Sequence, residues 1–111
     1  MTDPEDRKIV LLARATRTRT EAPEGAAVRD RDGRTYTAAS LDLPSLQLSA
    51  LALAVAMAAS SGATGLEAAA VVTGADAVRE ADLTVVRDLG GEGVPVWRAD
   101  IAGAVLERST T

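Results

Sequence analysis

One long uncharged stretch dominates the hydrophobic pattern of the chain: it follows Asp42 and ends at Gly62. Within its middle part only Gln47 and Ser49 are polar, so the stretch lacks the polar face of a surface helix. Pro44 suits the first turn of a helix, and a glycine is common just after a helix ends. We therefore predict a central helix across the whole stretch, covered on more than one side.

The first 40 residues predict a helix followed by a hairpin. In residues 6–19 apolar positions recur at helical spacing with arginines between them, which indicates an amphipathic helix. Residues 25–30 and 34–40 are compatible with strands and flank the turn signal Asp32-Gly33. The polar residues 1–5 are expected to be disordered.

The second half of the chain alternates strand and helix patterns. The predicted order is a strand buried on both faces at 66–73, a helix at 74–90, a strand at 94–98, a turn at 100–103 and a last strand at 104–109. Pro95 indicates an edge strand or the start of a strand. Helical crossovers between strands imply a mostly parallel sheet beyond the first hairpin, with helices on both faces. The prediction is one α/β domain, residues 1–111, with about five strands.

Composition narrows the chemistry that the chain can supply. It has no Cys and no His, which removes disulfides, the commonest metal ligand and the usual general base. Residues 1–34 carry eight basic and seven acidic groups, whereas residues 35–111 carry four and nine. With one Tyr, one Trp and no Phe, the chain lacks the stacking aromatics of a nucleic-acid-binding protein. A membrane span needs about 20 apolar residues, more than the central stretch provides, and no signal peptide is evident, so a cytoplasmic protein is expected.

Four short motifs resemble the cytidine deaminase family. Leu-Ala-Arg at 12–14 is similar to part of that family's opening helix, and Gly-Ala-Ala-Val at 25–28 with Asp-Gly-Arg-Thr-Tyr-Thr at 32–37 is similar to its hairpin. Ser-Leu-Asp at 40–42 falls where the family has Asn-Val-Glu. The resemblance covers most of the chain and implies a three-layer fold with a mixed sheet.

The same resemblance locates the family's zinc site on positions that do not suit it. Zinc deaminases use three Cys or His ligands and a Glu that moves protons, at the starts of two helices. Counting from the helix-ending glycines places Ser49 at one ligand, Leu51 at the Glu, and Arg79 and Asp82 at the other two ligands. These side chains are wrong for zinc and for proton transfer. We therefore predict a degenerate family member with no catalytic residue, no metal and no cofactor, and not an enzyme.

The resemblance also predicts the geometry of this abandoned site. Ser49, Arg79 and Asp82 should converge, with an ion pair between the last two that is partly open to water, and Leu51 should be buried. The alternative is that Arg79 points into solvent. Ser40 and Asp42 fall where the family contacts ribose, so they are possible ligand contacts, although capping of the central helix is the simpler explanation. Glu24, Asp42 and Asp82 are interpreted as separate carboxylates with no motif linking them.

Three functional hypotheses follow from these observations. The first is a catalytically inactive deaminase-fold protein that acts through self-association, as a dimer or tetramer, or through an unknown protein partner. The second is a sensor that binds a nucleoside or nucleotide in the remnant pocket. The third, a zinc-dependent cytidine deaminase, is disfavoured by the missing ligands. Neither nucleic acid nor a membrane is an expected partner.

Overall fold

A computed structural model describes residues 1 and 3–111. Its elements are α1 (Pro4–Thr20), β1 (Gly25–Asp30), β2 (Thr35–Ala39), β3 (Leu41–Leu43), β4 (Leu46–Leu48), α2 (Ala50–Ser60), β5 (Leu66–Val72), α3 (Glu80–Gly90), β6 (Pro95–Ala99) and β7 (Val105–Thr110). Five strands form one sheet in the order β2-β1-β5-β6-β7, and β3 pairs with β4 in a separate hairpin.

The first helix starts earlier than predicted. Asp3 caps it, because its carboxylate accepts a hydrogen bond from the amide of Glu5 at 2.8 Å, and Pro4 occupies the first turn. The prediction that residues 1–5 are disordered is therefore wrong for Pro4 and Glu5, while Thr2 lies outside the described residues. The cap and the proline together start the helix before the amphipathic pattern becomes visible.

The predicted hairpin of β1 and β2 is confirmed. Asp30 organises its turn: one carboxylate oxygen accepts the amides of Asp32 and Arg34, both at 2.9 Å, and the other accepts the Tyr36 hydroxyl at 2.9 Å. Burial opposes ionisation of Asp30, but these donors outweigh it and lower the pKa of the carboxyl. Gly33 supplies the left-handed conformation that the turn requires, with φ 82°.

The central helix is shorter than predicted. It begins only after Ser49, whose hydroxyl accepts the amide of Ala52 at 3.1 Å, and the preceding residues form the β3–β4 hairpin instead. Pro44 and Ser45 form the turn of this hairpin rather than a helix start. The three-residue strands on either side place Leu and polar residues in alternation, a pattern that suits a strand as well as it suits a helix.

The sheet is mixed, and the prediction that it is mostly parallel beyond the first hairpin is wrong. Only β5 and β6 run parallel, because α3 connects them, whereas β1 pairs antiparallel with β5 and β6 pairs antiparallel with β7. Strand β6 is interior, so Pro95 marks a strand start and not an edge. The helix predicted at 74–90 starts only at Glu80, after a loop.

Helices cover both faces of the sheet, which confirms the predicted α/β architecture. Helix α1 packs one face through Ile9, Val10 and Ala13. Helices α2 and α3 pack the other face, where Leu51 and Val86 are fully buried. Across the described part of the chain, no helix has the length and apolar character needed to cross a membrane.

Candidate functional site

Three positions predicted to converge do so at the N-termini of α2 and α3. The Ser49 hydroxyl donates to Asp82 Oδ1 at 2.7 Å, and Arg79 Nη1 lies 3.3 Å from Asp82 Oδ2. The Asp82 side chain is 8% exposed and that of Arg79 is 54% exposed, so the ion pair is partly open to water as predicted. The alternative in which Arg79 points into solvent without a partner is wrong.

Glu24, which the sequence analysis left without a partner, completes this arrangement. Its carboxylate lies just before β1 and receives Arg79 Nη1 on Oε1 and Arg79 Nη2 on Oε2, both at 3.1 Å. Thr73, just after β5, donates its hydroxyl to Oε2 at 2.9 Å. The interpretation of Glu24 and Asp82 as separate carboxylates is therefore wrong, because Arg79 links them. We call Glu24, Ser49, Thr73, Arg79 and Asp82 the cavity cluster.

The fold fixes Glu24 in an unusually buried place for a carboxylate. The side chain is 7% exposed. It precedes Gly25, where an added Cβ would collide with the Ala13 carbonyl of α1, so helix and strand approach closely at this point. One signal in the sequence could have indicated this: Glu24 stands directly before the apolar strand Gly-Ala-Ala-Val. A carboxylate in such a place is buried and therefore needs a partner.

Arg79 remains a cation in this setting. The hydrogen bond that Arg79 donates to Glu24, followed by the charge of that carboxylate, raises the pKa of the Arg79 guanidinium above its ordinary value, and Asp82 adds to the effect. Leu51, at the position that the resemblance assigned to the catalytic Glu, is fully buried in the hydrophobic core, and its burial agrees with the prediction. The site itself combines a fixed cation and two buried carboxylates.

A cavity of about 710 Å³ lies in front of the cavity cluster. Its lining residues are Arg17, Pro23, Glu24, Ser40, Leu41, Asp42, Gln47, Leu48, Ser49, Thr73, Gly74, Ala75, Arg79 and Ile101. Both Ser40 and Asp42, the possible ligand contacts, belong to this wall. Neither caps the central helix, so that simpler explanation is wrong: Ser49 is the cap, and the Ser40 hydroxyl accepts the amide of Glu24 at 3.3 Å.

Comparison with known proteins places the chain in a family. Residues 2–103 match the family described as Cytidine deaminase-like. The chain belongs to this family. No curated protein is significantly similar to it in sequence.

Several solved structures share the fold. Cytidine deaminase from Burkholderia pseudomallei is 23% identical with a TM-score of 0.80, and the match covers 93% of this chain and 90% of that one. Cytidine deaminase from Mycobacterium leprae is 20% identical with a TM-score of 0.72 and the same coverage. The enzyme from Mycobacterium tuberculosis is 24% identical with a TM-score of 0.72, covering 85% of each chain.

These comparisons overturn one prediction. The sequence predicted a protein that is not an enzyme, but the chain belongs to a family whose similar solved structures are cytidine deaminases, which are enzymes. The absence of zinc ligands argues against a zinc site of the family type and is not positive evidence against catalysis. The prediction that the chain is not an enzyme is therefore wrong.

The zinc ion that the resemblance implies does not fit the residues present. The Ser49 hydroxyl directs its proton to Asp82, and the guanidinium of Arg79 places a positive charge where the ligands of a cation would have to be. Within residues 1 and 3–111, no three His, Cys, Asp or Glu side chains are grouped to hold a metal ion. What the cluster offers instead is hydrogen-bond donors and acceptors facing a cavity.

Proposed function

We propose that the chain binds a nucleoside of the cytidine type in the cavity in front of the cavity cluster. The observation that carries this proposal is a preformed cavity of about 710 Å³, which is within the usual range for small-molecule sites. Its wall brings Ser40 and Asp42, at the start of β3, together with Arg79, at the start of α3, in a cytidine deaminase-like fold.

The wall offers different chemistry at different places. Ser40 is half-buried and Asp42 is exposed on β3, so a hydroxyl and a carboxylate are available to the hydroxyls of a sugar. Glu24 and Arg79 hold a rigid polar patch that suits the polar edge of a base. Leu41, Leu48 and Ile101 supply the apolar surface that a ring needs to leave water.

Titration calorimetry with cytidine and deoxycytidine tests the proposal. We expect saturable binding to the wild type, and binding about tenfold weaker to Asp42→Asn, which keeps the shape of the side chain but loses the charge-assisted hydrogen bond. Asp88→Asn, an exposed change on α3, is the matched control and should bind as the wild type does. No heat of binding with any nucleoside at millimolar concentration would refute the proposal.

We also propose that the chain self-associates through the β3–β4 hairpin and the outer face of α2. Leu43 and Leu46 on the hairpin are 51% and 46% exposed, and Met57 on α2 is 39% exposed. Large apolar side chains that stay exposed to water favour contact with another surface. Light scattering should give more than the mass of one chain, and Leu46→Glu should lower it. Leu106→Glu, an exposed leucine on β7, is the control and should leave the mass unchanged.

A further inference from the structure

Arg79 keeps two N–H donors for a ligand. A guanidinium has five N–H groups in a fixed plane. Nη1 donates to Glu24 and Asp82, and Nη2 lies 3.1 Å from the second carboxylate oxygen of Glu24. The second N–H of Nη2 and that of Nε remain, and they lie along the same edge of the guanidinium plane. Neither has an acceptor among residues 1 and 3–111, and Arg79 lines the cavity.

This open edge is held in one orientation. Both carboxylate oxygens of Glu24 lie 3.1 Å from Arg79 nitrogens, and Glu24 also accepts a hydrogen bond from the Thr73 hydroxyl at 2.9 Å. Asp82 is fixed by Ser49 at 2.7 Å. A side chain whose partners are buried and already hydrogen-bonded loses little freedom when a ligand binds, so the edge is preorganised for two parallel hydrogen bonds.

The charges around the cavity disfavour an anion as the partner of this edge. Arg17 and Arg79 contribute two positive charges to the wall and Glu24 and Asp42 contribute two negative ones, while Asp82 pairs with Arg79. The charge of Arg79 is therefore already balanced by two carboxylates, which weakens its attraction for a phosphate or a carboxylate and leaves a neutral acceptor unaffected.

We infer that Arg79 is the residue that sets base specificity in the proposed nucleoside site, by donating from Nε and Nη2 to two adjacent acceptors on a neutral ring. This inference depends on the proposed function. Cytosine presents such a pair, the O2 carbonyl and the unprotonated N3. Uracil does not, because its N3 carries a proton and faces one of the two donors of Arg79. A bidentate pair of this kind discriminates between bases by about tenfold or more.

Calorimetry with a panel of ligands tests the inference on the wild-type chain. Cytidine should bind at least about tenfold more tightly than uridine and than 3-deazacytidine, in which a C–H group replaces the N3 acceptor. Equal affinity for cytidine and 3-deazacytidine would overturn the inference and leave the proposed function standing. Tighter binding of the 5′-monophosphates than of the nucleosides would also overturn it, in favour of an anion on Arg79.

A variant tests the residue itself. Arg79→Lys keeps the positive charge near Glu24 but lacks the planar edge, so it should lose the preference for cytidine over uridine while still binding both. Arg87→Lys, an exposed change on the same helix, should retain the preference. A preference retained in Arg79→Lys would overturn the inference. If no nucleoside binds even the wild type, the proposed function fails and the inference with it.

Discussion

Two arginines lie on opposite faces of the sheet, and each is paired with at least one buried carboxylate. Under α1, Arg29 Nη2 donates to Asp6 at 2.9 Å, Trp97 Nε1 donates to the other Asp6 oxygen at 2.9 Å, and Arg29 Nε lies 3.5 Å from Glu67. We call these four residues the α1 cluster. On the other face, Arg79 is held by Glu24 and Asp82 in the cavity cluster.

The two clusters differ in what covers the arginine. The Arg29 side chain is 10% exposed, and its Nη1 is buried without a partner among the described residues. Arg79 is 54% exposed and lines a cavity. A charge that a helix covers depends on its countercharge, because water cannot replace it. A charge at a cavity wall keeps access to water and to a ligand. The ion pairs of Arg29 therefore stabilise the fold, whereas those of Arg79 leave the guanidinium available for binding.

The largest expected effect concerns the α1 cluster. Asp6→Asn leaves the buried Arg29 with only the half-exposed Glu67 as a countercharge, and we expect it to reduce the free energy of unfolding by about 3 kcal/mol. Denaturant unfolding measures this. Asp88→Asn, an exposed change of the same chemistry, should stay within about 0.5 kcal/mol of the wild type. Equal stability of Asp6→Asn and the wild type would show that Arg29 does not depend on Asp6.

Asp30 sharpens the comparison, because its buried carboxylate is held mainly by neutral donors and not by an arginine. Asp30→Asn should reduce stability near neutral pH by about 1 kcal/mol, since hydrogen bonds to an ionised acceptor are the stronger ones. The pKa of Asp30 is lowered in the folded chain, so this contribution is present above the ordinary value of 3.8 and is lost as the pH falls below it.

The test of this sign is unfolding of both proteins across the acid range. The difference in stability between the wild type and Asp30→Asn should narrow as the pH falls below 3.8. A difference that stays constant down to the lowest pH would mean that the ionised form of Asp30 contributes nothing specific.

Glu24→Gln should affect the stability of the cavity cluster less than Asp6→Asn affects the α1 cluster. Arg79 is half exposed and keeps Asp82, so we expect a loss of free energy of unfolding below about 1 kcal/mol. Nucleoside affinity should fall by about tenfold, because the orienting contact on Arg79 weakens. Unfolding and calorimetry on the same variant give both numbers. A destabilisation as large as that of Asp6→Asn would remove the distinction between the clusters.

The smallest expected effect is that of adding or removing a metal ion. Arg79 already pairs with both Glu24 and Asp82, so neither added zinc nor a chelator should change the melting temperature. Elemental analysis should find no stoichiometric zinc. A rise in melting temperature with zinc that Asp82→Asn abolishes would show that the cluster takes up the metal after all.

Elements specified by neighbouring residues were predictable from the sequence. The helical spacing in α1, the Asp-Gly turn between β1 and β2 and the apolar run of β5 are local signals, and the structure confirms all three. Residue spacing and the family resemblance also predicted that Ser49, Arg79 and Asp82 lie close together, as they do in the structure.

Two features were decided only by the tertiary structure. Residues 41–48 suit a helix or a hairpin equally well by local pattern, and only in the folded chain do they pair as the separate β3–β4 hairpin. Glu24 and Arg79 are 55 residues apart along the chain, and no local pattern encodes their pairing. The pairing arises because β1 and β5 lie side by side. Glu24 and Thr73 therefore meet at the ends of these two strands, close to the N-terminus of α3. A buried carboxylate there needs a cation, and only the folded chain brings Arg79 within reach.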